Sequence, residues 1–384
     1  MRLSTGRHRR TRTLSIAAAI AVASGAGGVH LGLSDGGAEA ASTTVTVSST
    51  AQLESAVKNA AAGTTIQVRG GTYRPTATLK STANGTSSAR ITLQAYGSEK
   101  VRIDGSELPD GSWLAGIYGD YWTVRNLTFV NSPAQGFVAT SSVGGVFKNL
   151  VTADNGDSGF TLRGDGTTNN LVQNLDSYGN YDPPGHGQNA DGIAIKFGSG
   201  TGNVVDGARL YNNSDDGIDL WQFSTAVTIK NSWAFGNGRN RWGDSAFEGN
   251  GNGFKLGGGG ASVAHKAQNN AAWDNTLHGF TENSNTGAIV LYRNTAYSNA
   301  ESGFYFATGK AKLARNLAVS NKKGPSKLGS STVSAANNWD SGVSTPSFKS
   351  TDATTAYGAR EADGTLPATT FLTTGSTAIG STMN

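Results

Sequence analysis

Short runs rich in valine, isoleucine and threonine recur along the chain between glycine and asparagine, as at 121–124, 226–229 and 287–290. Such runs, bounded by turn residues, predict short β-strands. The motif Asn-x-x-x-Gly-Phe/Ile orders them into a repeat whose opening asparagines are spaced by 24, 25, 33, 24, 38, 24 and 22 residues. The unit is therefore 24 residues long, with two enlarged copies. The opening asparagines are Asn131, Asn155, Asn180, Asn213, Asn237, Asn275, Asn299 and Asn321.

A unit of this length holds three short strands, which is one coil of a parallel β-helix. Leucine-rich repeats share the period but require Leu-x-x-Leu-x-Leu runs, and the sequence has none. The predicted fold class is all-β, with residues 41–384 forming a single solenoid domain. We expect the recurrent asparagine to occupy a turn position where left-handed backbone geometry and side-chain stacking are tolerated.

Both ends of a solenoid need covering, because exposed strand edges invite aggregation. Ser49 and Gln52 resemble a capping box, and apolar residues follow with helical spacing. An amphipathic helix over residues 49–62 is therefore predicted to cap the N-terminal end. Beyond Asn321 the repeat fades into Ser/Thr/Gly-rich sequence, so residues 322–384 are predicted to form an irregular segment that packs on the solenoid.

The two enlarged copies carry their extra residues at 181–191 and 238–252, between the opening asparagine and the Gly-Phe/Ile pair. Both insertions are therefore predicted to project from the same corner of the coil. Insertions in solenoids commonly map to one face, which is often the binding face.

Alignment of the copies on their glycine predicts one inward and one outward column of side chains. The outward column brings Asp219 and Lys255 onto neighbouring rungs, and Asp191, Asp215 and Asp216 lie just before the aligned glycine. Four carboxylates this close would repel one another unless a cation lay among them. Calcium prefers oxygen ligands and tolerates irregular carboxylate geometry, so it is the expected cofactor. Alternatively, the four aspartates are ordinary turn residues and Lys255 is a surface lysine paired with Asp219.

Composition narrows the range of functions. Residues 1–40 combine five arginines, a short apolar run and Ala38-Glu39-Ala40, a pattern that predicts a secretion signal peptide and an extracellular protein. Without residues 1–40, 26 basic and 25 acidic residues remain, which argues against nucleic-acid or membrane partners. The absence of cysteine excludes disulfides, a catalytic thiol and thiolate metal sites.

The segments 189–192, 213–221 and 251–255 resemble the ion-binding and base motifs of family 9 polysaccharide lyases, which are secreted enzymes. The likeness extends to residues 53–73 and 91–105, and weakly to 363–367. It implies a right-handed parallel β-helix and calcium-dependent cleavage of pectate by β-elimination, giving 4,5-unsaturated uronide ends. Asp191, Asp215, Asp216 and Asp219 would be the calcium ligands, and Lys255 the catalytic base.

Candidate residues for holding an acidic polysaccharide lie near or within the two insertions. They are Lys196, Arg239, Arg241 and Trp242. We expect the protein to act as a monomer on this substrate.

Three other functions remain open. A lyase acting on another uronate polymer, such as alginate, would use the same elimination chemistry. A polygalacturonase-type hydrolase needs an acid and base carboxylate pair, but Gly185-His186-Gly187 precedes the aspartate pair, whereas that family's histidine follows it, and no Arg-Ile-Lys follows. A non-catalytic polysaccharide-binding β-helix would not require Lys255.

Overall fold

The repeats fold into successive coils whose strands pair in parallel with those of the neighbouring coils. The computed structural model describes residues 42–376 and 378–383, so the predicted signal peptide lies outside the described residues. Its strands are β1 (Thr43–Val47), β2 (Thr64–Val68), β3 (Gly71–Tyr73), β4 (Leu79–Ser81), β5 (Ile91–Ala95), β6 (Val101–Asp104), β7 (Ala115–Ile117), β8 (Trp122–Arg125), β9 (Thr128–Val130), β10 (Phe137–Thr140), β11 (Val146–Lys148), β12 (Val151–Ala153), β13 (Phe160–Asp165), β14 (Leu171–Gln173), β15 (Asp176–Tyr178), β16 (Ile193–Ser199), β17 (Val204–Asp206), β18 (Arg209–Tyr211), β19 (Ile218–Asp219), β20 (Thr228–Lys230), β21 (Trp233–Phe235), β22 (Phe254–Lys255), β23 (Lys266–Gln268), β24 (Ala271–Trp273), β25 (Phe280–Thr281), β26 (Val290–Tyr292), β27 (Thr295–Tyr297), β28 (Phe304–Phe306), β29 (Lys312–Ala314), β30 (Leu317–Val319), β31 (Ser326–Leu328) and β32 (Val333–Ala335). The helices are α1 (Thr50–Lys58) and two 3-10 turns at Pro183–Gly185 and Ala353–Tyr357.

Three parallel sheets run along the solenoid and meet at the turns of each coil. In the described residues, sheet A has the order β1-β2-β5-β8-β11-β14-β17-β20-β23-β26-β29-β32. Sheet B has the order β3-β6-β9-β12-β15-β18-β21-β24-β27-β30, and sheet C the order β4-β7-β10-β13-β16-β19-β22-β25-β28-β31. The predicted parallel β-helix is confirmed. None of the described helices combines the length and apolarity that a membrane span requires.

The inward column predicted from the repeat forms the centre of the core. Consecutive strands of sheet C pair its members in register. Their side chains are fully buried, and aromatic rings stack along the column, with 4.7 Å between the centroids of Phe254 and Phe280. Stacked aromatic pairs add to the stability that burial provides. The column is Phe160, Ile193, Ile218, Phe254, Phe280 and Phe304.

The repeated asparagines form a ladder of side-chain amides inside one turn of the coil. Each amide donates to the next, as from Asn213 to Asn237 at 3.0 Å and from Asn275 to Asn299 at 2.9 Å. The expected left-handed geometry belongs instead to the preceding residue, for example Asn212 with φ 57°. Asn131 is offset by one residue, since the backbone N–H of Ser132 donates to Asn155 at the foot of the ladder. Buried polar groups satisfied in this way fix the register of the coils.

Helix α1 lies at the N-terminal end of the solenoid against β1, β2 and β4. The Ser49 side chain accepts a hydrogen bond from the backbone N–H of Gln52, and Leu53 and Val57 are buried. The helix is shorter than the predicted 49–62, because Asn59 ends it with φ −101°. The backbone N–H of Ser48, one residue before the cap, donates to the Gln52 side chain.

The C-terminal segment continues the solenoid further than its sequence suggests. Strands β31 and β32 extend sheets C and A beyond the point where the repeat fades. The chain then packs on the outer face of sheet B, where Phe371 joins Trp233 and Trp273 in a separate hydrophobic cluster. Arg360 anchors this segment through an ion pair of 2.8 Å with Asp176.

His265 gives the fold a predicted sensitivity to acid. The side chain is fully buried, its Nδ1 accepts from the backbone N–H of Val227, and its Nε2 has no hydrogen-bond partner in the described residues. Burial lowers the pKa of His265 from 6.5 to about 4. The unfolded chain then binds more protons between these values, so stability falls as the pH drops through this window.

Glutamine does not titrate in this range. As the pH falls from 6.5 to about 4, the free energy of unfolding of His265→Gln should therefore decrease less than that of the unchanged protein, by up to about 3 kcal/mol. Urea unfolding at a series of pH values measures this difference. Parallel pH dependences for the two proteins would show that His265 does not contribute.

Candidate active site

The outward column of sheet C carries the predicted site on three neighbouring strands. Cα pairing places Ala194 of β16 beside Asp219 of β19, and Asp219 beside Lys255 of β22. Adjacent strands lie about 4.8 Å apart, so these side chains are immediate neighbours. Asp191 directly precedes the glycine before β16, and Asp216 the glycine before β19. The register that the sequence predicted is confirmed.

Hydrogen bonds hold the Oδ1 atoms of three carboxylates. Oδ1 of Asp191 accepts from the backbone N–H of Asp216 at 3.3 Å, and Oδ1 of Asp219 accepts from that of Trp221 at 3.0 Å. Oδ1 of Asp216 accepts from the backbone and side-chain nitrogens of Asn252, at 2.7 and 2.8 Å. Their Oδ2 atoms lie toward the two lysine ammonium groups at the centre of the site, and Oδ2 of Asp191 also accepts from the Ser158 hydroxyl at 3.2 Å.

Two lysine ammonium groups lie among these Oδ2 atoms. Nζ of Lys196 is 2.7 Å from Asp191 and 2.8 Å from Asp219. Nζ of Lys255 is 2.9 Å from Asp216 and 3.1 Å from Asp219. One oxygen from each of these three aspartates lies within 4.8 Å of the others, a spacing that a single metal ion could bridge.

Asp215 stands slightly apart from this group. Its carboxylate is buried and lines the groove above the site, and Oδ1 accepts from the backbone N–H of Asn250 at 2.8 Å. The second insertion thus holds both Asp215, through Asn250, and Asp216, through Asn252. Together the four carboxylates form the acidic cluster, which consists of Asp191, Asp215, Asp216 and Asp219.

Burial and charge act in opposite directions on the groups of the site. Burial raises the pKa of Asp191 to about 7, although Lys196 works against this. The pKa of Asp215 is also raised, by burial and then by the charge of Asp216. For Lys255 burial lowers the pKa, but the surrounding carboxylates, Asp216 first, raise it more, so the net shift is upward. The same balance raises the pKa of Lys196.

A groove of about 460 Å³ opens over the acidic cluster. The two insertions form one of its walls and brace each other. The Tyr181 hydroxyl donates to Asp244 at 2.7 Å, and the backbone N–H of Glu248 donates to the carbonyl of His186 at 2.8 Å. The insertions therefore meet at one corner of the coil, as the sequence predicted.

The candidate substrate-binding residues separate into two groups. Lys196 lines the groove, but its ammonium is engaged by two carboxylates. Arg239 donates to the carbonyl of Asp274 and Arg241 to the side chain of Asn212, so both lie outside the groove lining. Trp242 stacks on Tyr181 with 4.6 Å between ring centroids, which places it in the brace between the insertions.

Several groove residues were missed by the sequence reasoning, and Arg163 and Phe197 are two of them. Arg163 pairs with Lys196 across β13 and β16, two positions beyond the outward column. Continuing the alignment by two residues would have found it. Phe197 also lines the groove, but it follows a shift in strand register that the repeat does not encode.

Comparison with known proteins gives a consistent result. A family model described as Pel9A-like, right handed beta helix region, matches residues 33–338. Pectate lyase PEL9 of Emericella nidulans is 42% identical over 373 residues, which cover 88% of this chain and 90% of that protein. Pectate lyase L of Dickeya chrysanthemi is 38% identical over 278 residues, covering 69% of this chain and 63% of that one.

The crystal structure of pectate lyase Pel9A resembles this fold with a TM-score of 0.76 and 32% sequence identity. The superposition covers 84% of this chain and 83% of that chain.

Proposed function

The chain belongs to the Pel9A-like right-handed β-helix family, and from this premise we propose that it is a secreted pectate lyase. It cleaves 4-linked galacturonan by β-elimination and leaves a 4,5-unsaturated uronide at the new end. The observation that carries this proposal is the groove in which a buried lysine, Lys255, lies among buried aspartates. Such a site offers both a base and an anionic pocket for a cation.

The donor set of the acidic cluster suits a calcium ion. It consists of hard carboxylate oxygens, which calcium prefers. Four carboxylates and the ammonium groups of Lys196 and Lys255 leave two negative charges when all are ionised, which matches one divalent cation. Oδ2 of Asp216 also has no hydrogen-bond partner of acceptable geometry in the described residues, although the Lys255 ammonium is 2.9 Å away. Asp191, Asp215, Asp216 and Asp219 would hold the ion.

When bound, the ion would neutralise these carboxylates and the negative charge that develops on the substrate carboxylate. Lys255 removes the proton at C5, which is acidic because it lies α to that carboxylate. The electron pair released from the C5–H bond forms the C4–C5 double bond as the bond from C4 to the glycosidic oxygen breaks. The proton moves to Nζ of Lys255, and the leaving oxygen takes a proton from water.

Lys255 is oriented for this task by the residues around it. Its side chain is largely buried, and the ammonium lies 5.6 Å from the ring centroid of Trp221. Ion pairs with Asp216 and Asp219 fix the direction of the Lys255 side chain. The first insertion and the second close one side of the groove, which limits the access of water to the reacting carbon.

The test of the proposal is the product formed from polygalacturonate. Elimination creates a double bond conjugated with a carboxylate, which absorbs in the ultraviolet, whereas hydrolysis creates new reducing ends without this absorbance. We expect absorbance and reducing ends to rise together in equal amounts. Reducing ends without absorbance would identify a hydrolase, no product would identify a binding protein, and activity restricted to alginate would change the substrate.

The reaction is expected to be fastest in alkali. A lysine acts as a base only when neutral, and the pKa of Lys255 is raised by its carboxylate neighbours despite the opposite effect of burial. Below the pKa that governs the reaction, each pH unit changes the neutral fraction about tenfold. A plot of log kcat/KM against pH, at saturating calcium, should therefore rise with a slope near one. A maximum below neutral pH would contradict a lysine base.

A further inference from the structure

Arg163 is a cation in the groove without an anionic partner. In residues 42–376 and 378–383 its guanidinium forms no ion pair and donates no hydrogen bond, and its one charge-related contact is with the ring of Trp113, at 5.6 Å. Lys196 and Lys255, by contrast, are each engaged by two carboxylates. The planar guanidinium of arginine is suited to bidentate binding of a carboxylate. Arg163 is therefore free to bind an anion from solution.

Phe197 is an apolar side chain that the fold holds out in the groove. The residue is 53% exposed, and its backbone φ is 52°, a conformation that is unusual for a bulky residue. The cause is the register shift between β13 and β16: Arg163 pairs with Lys196, but Gly164 pairs with Gly198, so Phe197 has no partner on β13. Bulges of this kind often redirect a side chain next to a functional site.

We propose that Arg163 and Phe197 form a subsite for one uronate unit of the substrate, on the β13 side of Lys196. Arg163 binds the carboxylate of that unit, and the ring of Phe197 packs against the apolar face of its sugar ring. This inference rests on the proposed function, because it assumes that a uronate polymer enters the groove. The proposed subsite lies outside the acidic cluster and selects for an acidic sugar through Arg163 and Phe197.

The position of the pair along the sheet supports this role. Arg163 lies one strand from Lys196, and Lys196 reaches Asp191 and Asp219 of the acidic cluster. One strand spacing is about 4.8 Å, a distance comparable to the advance of one sugar unit in a 4-linked chain. A polymer lying across the strands would therefore place one unit at the acidic cluster and a neighbouring unit at Arg163.

The two aspartates near Arg163 do not take the place of a substrate carboxylate. Asp157 also lines the groove, but its Oδ2 accepts from the side chain of Gln135 at 2.6 Å, and its Oδ1 is engaged by the backbone N–H of Ser158. Asp165 is exposed and accepts from the Ser199 hydroxyl. Both nearby carboxylates thus have partners of their own, while Arg163 and the Phe197 ring remain open to the groove.

The test compares KM and kcat for substitutions on polygalacturonate. Arg163→Gln should raise KM roughly tenfold to a hundredfold, which is the range expected for losing a charged hydrogen bond. Its kcat should stay within about twofold, since Arg163 does not contact the reacting atoms. The KM of Arg163→Lys should lie between those of the unchanged protein and Arg163→Gln, because lysine keeps the positive charge but not the planar guanidinium. Phe197→Ser should raise KM roughly threefold to tenfold.

Arg125→Gln is the matched control, because it removes an exposed arginine of β8 in sheet A that lies outside the groove lining. It should leave KM unchanged. Heavily methyl-esterified pectin provides a second comparison: the preference for free acid should shrink in Arg163→Gln. Unfolding temperatures of all variants establish that they are folded. An unchanged KM in Arg163→Gln, with normal activity in the unchanged protein, would overturn the inference.

Direct binding separates this inference from the proposed reaction. Calorimetry with saturated oligogalacturonates, in a protein that also carries Lys255→Ala, reports affinity without turnover. Weaker binding on adding Arg163→Gln would support the subsite even if no unsaturated product were ever detected. Equal binding with and without Arg163, alongside normal elimination by the unchanged protein, would reject the subsite and leave the lyase intact.

Discussion

Replacing Lys255 by alanine should lower kcat on polygalacturonate by at least about 100-fold, and by up to about 10,000-fold, the range for loss of a general base. The physical reason is that alanine has no group that could accept the C5 proton, which Lys255 takes in the proposed reaction. The ultraviolet assay for unsaturated product measures the loss, at saturating calcium and at alkaline pH.

Two further variants show whether the loss comes from the base or from the charge. Lys255→Arg keeps a positive charge near Asp216 and Asp219, but arginine is too basic to accept a proton, so it should be as inactive as Lys255→Ala. Lys266 is an exposed residue of β23, and Lys266→Ala should be fully active. Substantial activity in Lys255→Arg would show that the residue acts by charge alone.

Removing calcium with a chelator should abolish elimination, and adding calcium back should restore it. Binding to the folded state alone should also stabilise the protein by about 2.7 kcal/mol at a concentration 100 times the dissociation constant. Thermal unfolding with and without calcium detects this gain without any substrate. Unchanged activity and unfolding temperature in chelator would contradict a calcium site in the acidic cluster.

Asp219→Asn locates the ion within the structure. Oδ2 of Asp219 contacts both lysine ammonium groups, so this oxygen lies at the centre of the site. The variant should lose most of the calcium-dependent gain in unfolding temperature and most of its activity. Asp206→Asn is the control, because Asp206 lies at the end of β17 in sheet A and pairs with Lys230. It should respond to calcium as the unchanged protein does.

The repeat in the sequence was sufficient to predict the coil and its register. The glycine-phenylalanine or glycine-isoleucine pair recurs often enough to align the strands of sheet C, and this alignment alone brought Asp219 beside Lys255. Side chains two rungs apart in space are dozens of residues apart in the chain, yet a solenoid makes such contacts predictable because each coil repeats the last.

What the sequence did not reveal depends on departures from the repeat. Phe197 enters the groove because the pairing of β13 and β16 shifts by one residue, and no local motif marks that shift. The ion pairs of Lys196 could not be predicted, because they depend on where the end of a long, flexible side chain lies. The left-handed residue before each ladder asparagine was misplaced by one position, since both residues are often polar and occupy the same turn.

The amide ladder has a dynamic consequence for the proposed active site. Each rung bonds only to the coils on either side, as from Asn180 to Asn213 and from Asn213 to Asn237. Partial opening of a molecule built this way should begin at its two ends and spread inward. Strands β16, β19 and β22 occupy the middle of sheet C. The groove should thus exchange its amide hydrogens last and stay intact while the terminal coils fray.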